Sequence, residues 1–295
     1  MMVNIFDSIM SHYTTMTKTE KKIADYVLAN SENIQYSAIA TFARDCGVGE
    51  ASVFRFCQRM GMGGYNEFKL AIARSLIAQG ISNANSRANP SSMNAIALGK
   101  VSSEDTFPDL CRKLLNTQIS ALNQTIELAD ESSYAKAADQ LAQSERVFCF
   151  GQGNSLVMAM IAWSKFISIS PKFIIAEDSH LQITYASLMN RNDVLLFFSY
   201  SGATRDMIET FRTVKESGAK IILVTRYQDS PGARLADTVL LCGSNEGPLQ
   251  IGSMAAKAAQ LLVIDILFNK YWLMNEKENE MMLEKSASGI AKKLI

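Results

Sequence analysis

From Arg146 onward the chain alternates between two periodicities, and no other feature limits its fold so tightly. Five short runs are rich in apolar, β-branched or aromatic residues: Arg146–Phe150, Lys172–Ala176, Val194–Ser199, Lys220–Thr225 and Thr238–Cys242. Between them, apolar residues recur at every third or fourth position over Ser155–Ser168, Ser179–Met189 and Arg205–Glu216, with a short turn after Ser230-Pro231. Proline directly after serine suits the first helical position. Apolar strands separated by helices imply a parallel sheet covered on both faces. Right-handed crossovers leave few topologies for it. Leu110–Leu128 and Ser133–Gln143 read as helices ahead of the first strand. Ser253–Leu273 reads as a long apolar helix suited to burial or a subunit contact, and residues 276–295 as a charged, Met-rich terminal helix.

Residues 79–106 (QGISNANSRANPSSMNAIALGKVSSEDT) are rich in Ser, Asn and Ala and poor in aromatics. This composition reads as a linker, with a short helix around Met93–Lys100. The expected organisation is a helical domain over 1–78, a linker over 79–106, an α/β domain over 107–275 and a helical tail over 276–295.

Two strand-to-helix junctions carry small polar residues. Val194–Phe198 runs into Ser199-Tyr200-Ser201-Gly202-Ala203-Thr204, and Arg146–Phe150 runs into Gly151-Gln152-Gly153-Asn154-Ser155. In a parallel α/β sheet such junctions are where ligands bind. A helix start leaves backbone N–H groups unpaired and hydroxyls add donors, so the site suits a phosphate without a charged side chain. The Gly-x-Gly turn also occurs in dinucleotide folds. Here position 156 is Leu, so no third glycine completes that fingerprint, and Glu177 and Asp178 do not stand in its required context. A monophosphate on a polar small molecule is the better reading, and neither a cofactor nor a metal is implied.

Nearer the N-terminus, Thr17 and Glu20 stand at capping-box spacing, and Ile23, Tyr26 and Val27 mark one helical face. A second helix fits Ser37–Cys46, a turn fits Gly47-Val48-Gly49, and a third helix fits Glu50 to Met60. Two short helices around a glycine turn form a helix-turn-helix pattern. Ala43 is small where the helices must touch, Gly47 supplies a permissive backbone, and Val53 packs back. Glu50, Ser52, Arg55 and Arg59 can then face outward, where arginine suits phosphates or guanine edges. An ordinary three-helix bundle with solvated arginines has the same spacing. Charge favours the DNA reading: residues 51–78 carry Arg55, Arg59, Lys69 and Arg74 against Glu67 alone.

The formal net charge of zero argues against a chain coated throughout by polyanion. The five cysteines, Cys46, Cys57, Cys111, Cys149 and Cys242, form no CxxC pair and no metal-ligand spacing. Cys149 and Cys242 sit in apolar runs and read as buried, reduced thiols. Met1–Met10 lacks a basic start followed by an apolar core, and no apolar run approaches the roughly 18–20 residues that span a bilayer. A reduced cytoplasmic compartment is the expected location, with no membrane partner.

The GQGNS turn, the SYSGAT segment and the five-strand alternation resemble a SIS (sugar isomerase) domain. The segment TKTEKKIADYVL…IATFARDCGVGEASVFRFCQRMGMGGYNEFK resembles the helix-turn-helix of the RpiR/MurR family of bacterial regulators. Together the two resemblances cover nearly the whole chain, in the order that family uses. They imply DNA binding by the first domain and phosphorylated-sugar binding by the second. Ser155, Ser199, Ser201 and Thr204 match the family's phosphosugar-contacting hydroxyls, and Gly151, Gly153 and Gly202 its turn glycines. Glu246 and Ser253 fall near further pocket positions, and Asn154, Tyr200 and His180 complete the expected ligand set. The expected DNA-binding set is Glu50, Ser52, Arg55, Arg59 and Lys69.

The chain departs from the family at Gly49, where serine is usual, at Tyr200, where Gln or His is common, and at Asp206, where Glu is frequent. The resemblance implies a transcriptional regulator of carbohydrate or amino-sugar metabolism, expected to repress. It would act as a homodimer or homotetramer on a pseudo-palindromic operator. The alternative is a sugar-phosphate isomerase or lyase, which needs a general base. The chain has two histidines, His12 and His180, and His180 lacks the glycine-aspartate stretch that follows the pocket histidine of some SIS isomerases. Glu246 is the other tempting base. No catalytic residue is expected.

Overall fold

The computed structural model describes residues 4–78, 101, 104–244 and 252–293. The chain divides into two compact units: the first runs to Thr117, and the second comprises Gln118–Ser244 and the chain from Met254. The short helix expected around Met93–Lys100 lies outside the described residues, as does Glu246.

Helices α1 (Ile5–His12), α2 (Lys18–Ile34), α3 (Ile39–Asp45), α4 (Glu50–Arg59) and α5 (Tyr65–Ala78) make up the first unit. Thr17 caps α2: its hydroxyl accepts from the Glu20 N–H, while the Glu20 carboxylate accepts from the Thr17 N–H at 2.7 Å. This reciprocal pair satisfies two N–H groups that the helix itself cannot. The core joins Ile9, Ile23, Val27, Phe42, Val53, Phe56, Phe68 and Ile72. The sequence pattern marks α2, α3 and α4, and the structure adds α1 and α5. Ser75 of α5 accepts from the Ile5 N–H of α1 at 3.0 Å, closing one end of α1. To the three helices read from the sequence the described part of this unit thus adds α1, α5 and the start of the next helix, as far as Thr117.

The second unit follows α6 (Phe107–Glu127), within which the boundary falls, and α7 (Glu131–Gln143). Then come β1 (Arg146–Gly151), α8 (Asn154–Phe166), β2 (Phe173–Ile175) and α9 (Ser179–Leu188). β3 (Asp193–Phe198), α10 (Arg205–Ser217), β4 (Lys220–Thr225), α11 (Pro231–Leu235) and β5 (Thr238–Leu241) continue the alternation. α12 (Met254–Met274) and α13 (Glu276–Ala291) end it. All pairings are parallel, in the order β2-β1-β3-β4-β5.

Strand residues alternate between two cores, as period-two geometry requires. Val147, Cys149, Leu196 and Val224 face α7, α8 and α12, where Leu141, Phe166 and Val263 meet them. Phe148, Phe150, Leu195 and Phe197 face α9 and α10, where Ala186, Phe211 and Val214 meet them. The apolar character of α12 is largely used here: Ala255, Ala259, Val263, Ile264 and Leu267 are buried within the unit, while Leu261 and Leu273 are exposed. Among the described residues no helix is long and apolar enough to cross a membrane. Cys149 and Cys242 are buried in the sheet core, and burial pushes the Cys57 thiol in the first unit up to about 12.

Candidate functional site

The strand order reverses direction between β1 and β3. The chain leaves β1 towards β2 on one side and leaves β3 towards β4 on the other. The loops at the carboxyl ends of these two strands therefore part, and open sheets of this kind bind ligands in the crevice so formed. Both polar segments singled out in the sequence stand there.

After β1, Gly151 and Gly153 have distinct reasons to be glycine. A Cβ on Gly151 would lie 2.6 Å from the Ser155 carbonyl oxygen, so the loop passes too close to α8 for a side chain. Gly153 sits at φ 55° as the cap of α8. Asn154 opens α8, and the Ser155 N–H donates to the Gln152 carbonyl at 3.0 Å.

After β3, the loop is stitched to the β4–α11 connection. The Tyr200 carbonyl accepts from the Arg226 N–H and the Thr225 hydroxyl, both at 3.1 Å, and the Gly202 carbonyl accepts from the Gly232 N–H at 2.8 Å. Gly202 has φ 59°, and a Cβ there would stand 2.2 Å from Ser230 Oγ. Ser199 is buried, and its hydroxyl accepts from the Gly202 N–H at 3.1 Å. It shapes the turn from behind. Ser201 is half-buried and Thr204 is exposed. Thr204 caps α10 through its backbone and makes no side-chain cap bond. Its hydroxyl instead reaches Gln152 Oε1 of the other loop at 3.4 Å. The first-turn N–H groups of α10 have no acceptor within the helix. The stitched loop, two hydroxyls and the start of α10 together have the donors to cradle an anion.

Beside this cradle lies a cleft of about 360 Å³, lined by Gly151, Gln152, Gly153, Leu156, Glu177, Asp178, Ser179, Gln182 and Asp206. Of these the sequence reading assigned a ligand role to Gly151 and Gly153 alone. Glu177 and Asp178 close the edge strand nearest the switch point, which is the signal that could have found them. Gln182 carries no such signal.

The remaining expected ligand residues fall differently. Tyr200 donates its hydroxyl to the Ser244 carbonyl at 2.9 Å, so it braces the exit of β5. His180 is exposed, does not line the cleft, and donates its backbone N–H to Asp178 Oδ1 at 2.9 Å. Ser253 immediately precedes α12 and does not line the cleft.

In the first unit, α3 and α4 make the expected pair. Gly47 adopts φ 64°, the Val48 N–H donates back to the Ala43 carbonyl at 2.9 Å, and Ala43 and Val53 are buried between the helices. Gly49 caps α4 with its carbonyl alone, which accepts from Ser52 at 2.9 Å and Val53 at 3.2 Å. Glu50 lies in the first turn, and the exposed Arg55 donates to Ser52 Oγ at 3.2 Å. Phe54 and Gln58 share the exposed face with Arg55, which spacing alone did not pick out.

Two of the residues expected to contact DNA, Arg59 and Lys69, also make contacts within the unit. Arg59 pairs with Glu20 at 2.7 Å and donates to the carbonyl and hydroxyl of Thr15 at 3.1 and 2.8 Å. The last turn of α4 stands against the capped start of α2, so the guanidinium folds back on it. Burial opposes ionisation of Glu20, but the Thr17 N–H and Arg59 outweigh it and hold the carboxyl below its usual range. Lys69 follows Tyr65 by one helical turn, and its ammonium lies 5.4 Å from that ring. Burial lowers its pKa to about 8.

Comparison with known proteins gives a consistent picture. Residues 3–79 match the helix-turn-helix domain of the rpiR family, and residues 140–270 match the SIS domain. An uncharacterized HTH-type transcriptional regulator of Caldanaerobacter subterraneus is 34% identical over 90% of each chain. Another, of Haemophilus influenzae, is 29% identical over 90% of this chain and 88% of its own. Among solved structures, the Vibrio vulnificus NanR protein complexed with ManNAc-6P superposes with a TM-score of 0.85 at 26% identity, over 99% of both chains. The sugar isomerase domain of an RpiR transcription factor from Sphaerobacter thermophilus shares the fold, with a TM-score of 0.56 at 18% identity over 61% of this chain and 98% of its own.

Proposed function

The chain belongs to the rpiR family of HTH-type transcriptional regulators, and on that premise we propose that it is a repressor whose operator affinity is set by a phosphorylated sugar. Residues 1–78 read DNA, 79–106 link, 107–275 bind the effector and 276–295 form a helical tail. Arg55 and Ser52 on α4 carry the DNA contacts, with Glu50 at the helix start. The protein works as a homodimer, presenting two copies of α4 about 34 Å apart to a pseudo-palindrome. The phosphate is held by Ser201, Thr204 and the first-turn N–H groups of α10, with Ser199 and Gly202 fixing the loop. A cytoplasmic location follows, since DNA and phosphorylated sugars meet there.

The single observation that carries this reading is the cradle after β3, fixed by Gly202 against Ser230 and placed at the sheet's switch point. It offers hydrogen-bond donors to an anion, and the carboxylates nearby belong to the adjoining cleft. The effector-free form binds DNA, and the effector favours a form that does not. A gel-shift assay with DNA from upstream of the chain's own gene tests the reading. The full chain should retard that DNA, and a sugar phosphate should release it where the unphosphorylated sugar does not. Failure to retard DNA, or turnover of the sugar phosphate to product, would refute it.

A further inference from the structure

The cleft beside the cradle has a chemical bias that a phosphate does not explain. Glu177, Asp178 and Asp206 line it, and no Lys, Arg or His does. Among the described residues no group of three or more His, Cys, Asp or Glu could hold a metal ion. The carboxylates give the cleft an acidic wall. Asp178 Oδ1 is already taken by the His180 and Leu181 N–H groups.

Gln182 adds an independent sign. It is 1% exposed and lines the same cleft. Its Nε2 donates to the carbonyls of Gly151 and Ala176, both at 2.9 Å. Carbonyls only accept, so the amide's orientation is fixed and Oε1 points the other way. That oxygen is buried and has no hydrogen-bond partner among the described residues. Native proteins leave few such acceptors unmet, and those they leave call for a donor from outside the chain.

Building on the phosphosugar reading above, we propose that the effector carries a free primary ammonium group: it is an amino-sugar phosphate without an N-acyl substituent. Its phosphate lies in the Ser201–Thr204 cradle. Its ammonium is met by the Glu177 and Asp206 carboxylates, and a donor of its amino-sugar end is met by Gln182 Oε1. A zwitterion matches a site where N–H donors at the start of α10 adjoin the carboxylates of Glu177 and of Asp206 on that same first turn. An N-acetyl group would remove the positive charge and leave the carboxylates uncompensated. A hydroxyl in its place brings a donor but no charge.

The test is calorimetry on the full chain with matched trios in the gluco and manno series: hexosamine 6-phosphate, N-acetylhexosamine 6-phosphate and hexose 6-phosphate. The free amine should bind at least about tenfold tighter than both relatives in one series, a margin of about 1.4 kcal/mol. Combining Glu177→Gln with Asp206→Asn should erase that margin, and an unchanged circular dichroism spectrum and thermal midpoint should show that the variant is folded. An acetylated or plain hexose phosphate that binds tightest in both series overturns the ammonium assignment, as does a margin that survives the double variant. Ser201→Ala separates the two readings. It should weaken all three ligands alike, and unchanged binding would overturn the phosphate cradle while leaving the ammonium site standing. Binding of none of the six overturns both.

Discussion

Replacing Arg59 by alanine should destabilise the first unit by about 1–2 kcal/mol. The guanidinium makes three bonds, to Glu20 at 2.7 Å and to Thr15 at 3.1 and 2.8 Å. A buried hydrogen bond to a charged group contributes about 1.5–3 kcal/mol, and an exposed ion pair about 0–1 kcal/mol. The two side chains are 31% and 19% exposed, which sets this pair between those limits. The three bonds share one group and do not add. Native-state hydrogen exchange of α2 and α4 amides in the full chain reads the loss without assuming that both units melt together. Glu20→Gln should cost about as much, since it also weakens the cap, and the double variant should fall short of the sum by about 1 kcal/mol.

The pH dependence follows with a definite sign. The folded Glu20 carboxyl titrates below its unfolded value, so its contribution is complete above the unfolded range near about 4.3. It is lost as pH falls through the folded value. Arg59→Ala should flatten that acid slope. Arg55→Ala should leave exchange unchanged, because Arg55 stands exposed and bonds to Ser52 of its own helix. If protection in the Arg59 variant matches wild type within about 0.3 kcal/mol, the clamp between α4 and α2 carries no energy and the argument fails.

Further outcomes follow from the same geometry. Gly202→Ala places a side chain at φ 59° and 2.2 Å from Ser230 Oγ. It should cost about 2–4 kcal/mol from left-handed backbone plus overpacking, read by urea denaturation through Trp163 and Trp272 of the second unit, and a wild-type midpoint would contradict it. Asp193 is fully buried and grips Arg146 through both oxygens at 2.9 and 2.6 Å. Asp193→Ala should cost about 2–4 kcal/mol in the same assay, and a loss under about 0.5 kcal/mol would refute the pairing as a support of the β1–β3 start. Lys69 is held at about 8 by burial against 10.5 when free. Between those values the unfolded chain binds more protons, so stability should rise with pH, and Lys69→Met should abolish the rise in exchange measured across that window.

The architecture was open to reading from the sequence because each strand is apolar on both faces. Continuous runs such as Val194–Phe198 leave no choice of solvent face, and all five strands lie where those runs stand. The helix-turn-helix was legible for the same kind of reason: Ala43, Gly47 and Val53 each answer a backbone constraint. The helices α1 and α5 were harder: only Asn4 marks the start of α1, and the glycines Gly61, Gly63 and Gly64 ahead of α5 fit a plain chain reversal equally well.

Side-chain destinations were the least legible. Arg55 and Arg59 differ by one helical turn, yet only the tertiary placement of Thr15 and Glu20 decides that Arg59 folds back. Lys69 reads as a basic surface residue until Tyr65 is seen beneath it. Gln182 is invisible as a site residue because its role depends on two carbonyls, Gly151 and Ala176, that no side-chain pattern records. Ser199 and Ser201 look alike in sequence, and only depth separates the buried turn-former from its half-buried neighbour.

The central claim is that a phosphate cradle in one unit governs DNA affinity in the other, and thermodynamic linkage tests it directly. Fluorescence anisotropy gives operator affinity for the full chain with and without saturating sugar phosphate, and calorimetry gives effector affinity with and without saturating operator. Reciprocity requires the same factor in both measurements, expected at about 5–150-fold. Ser201→Ala should bind operator as wild type does, and lose the response at effector concentrations that release wild type. Equal operator affinity with and without a sugar phosphate that demonstrably binds would contradict the account.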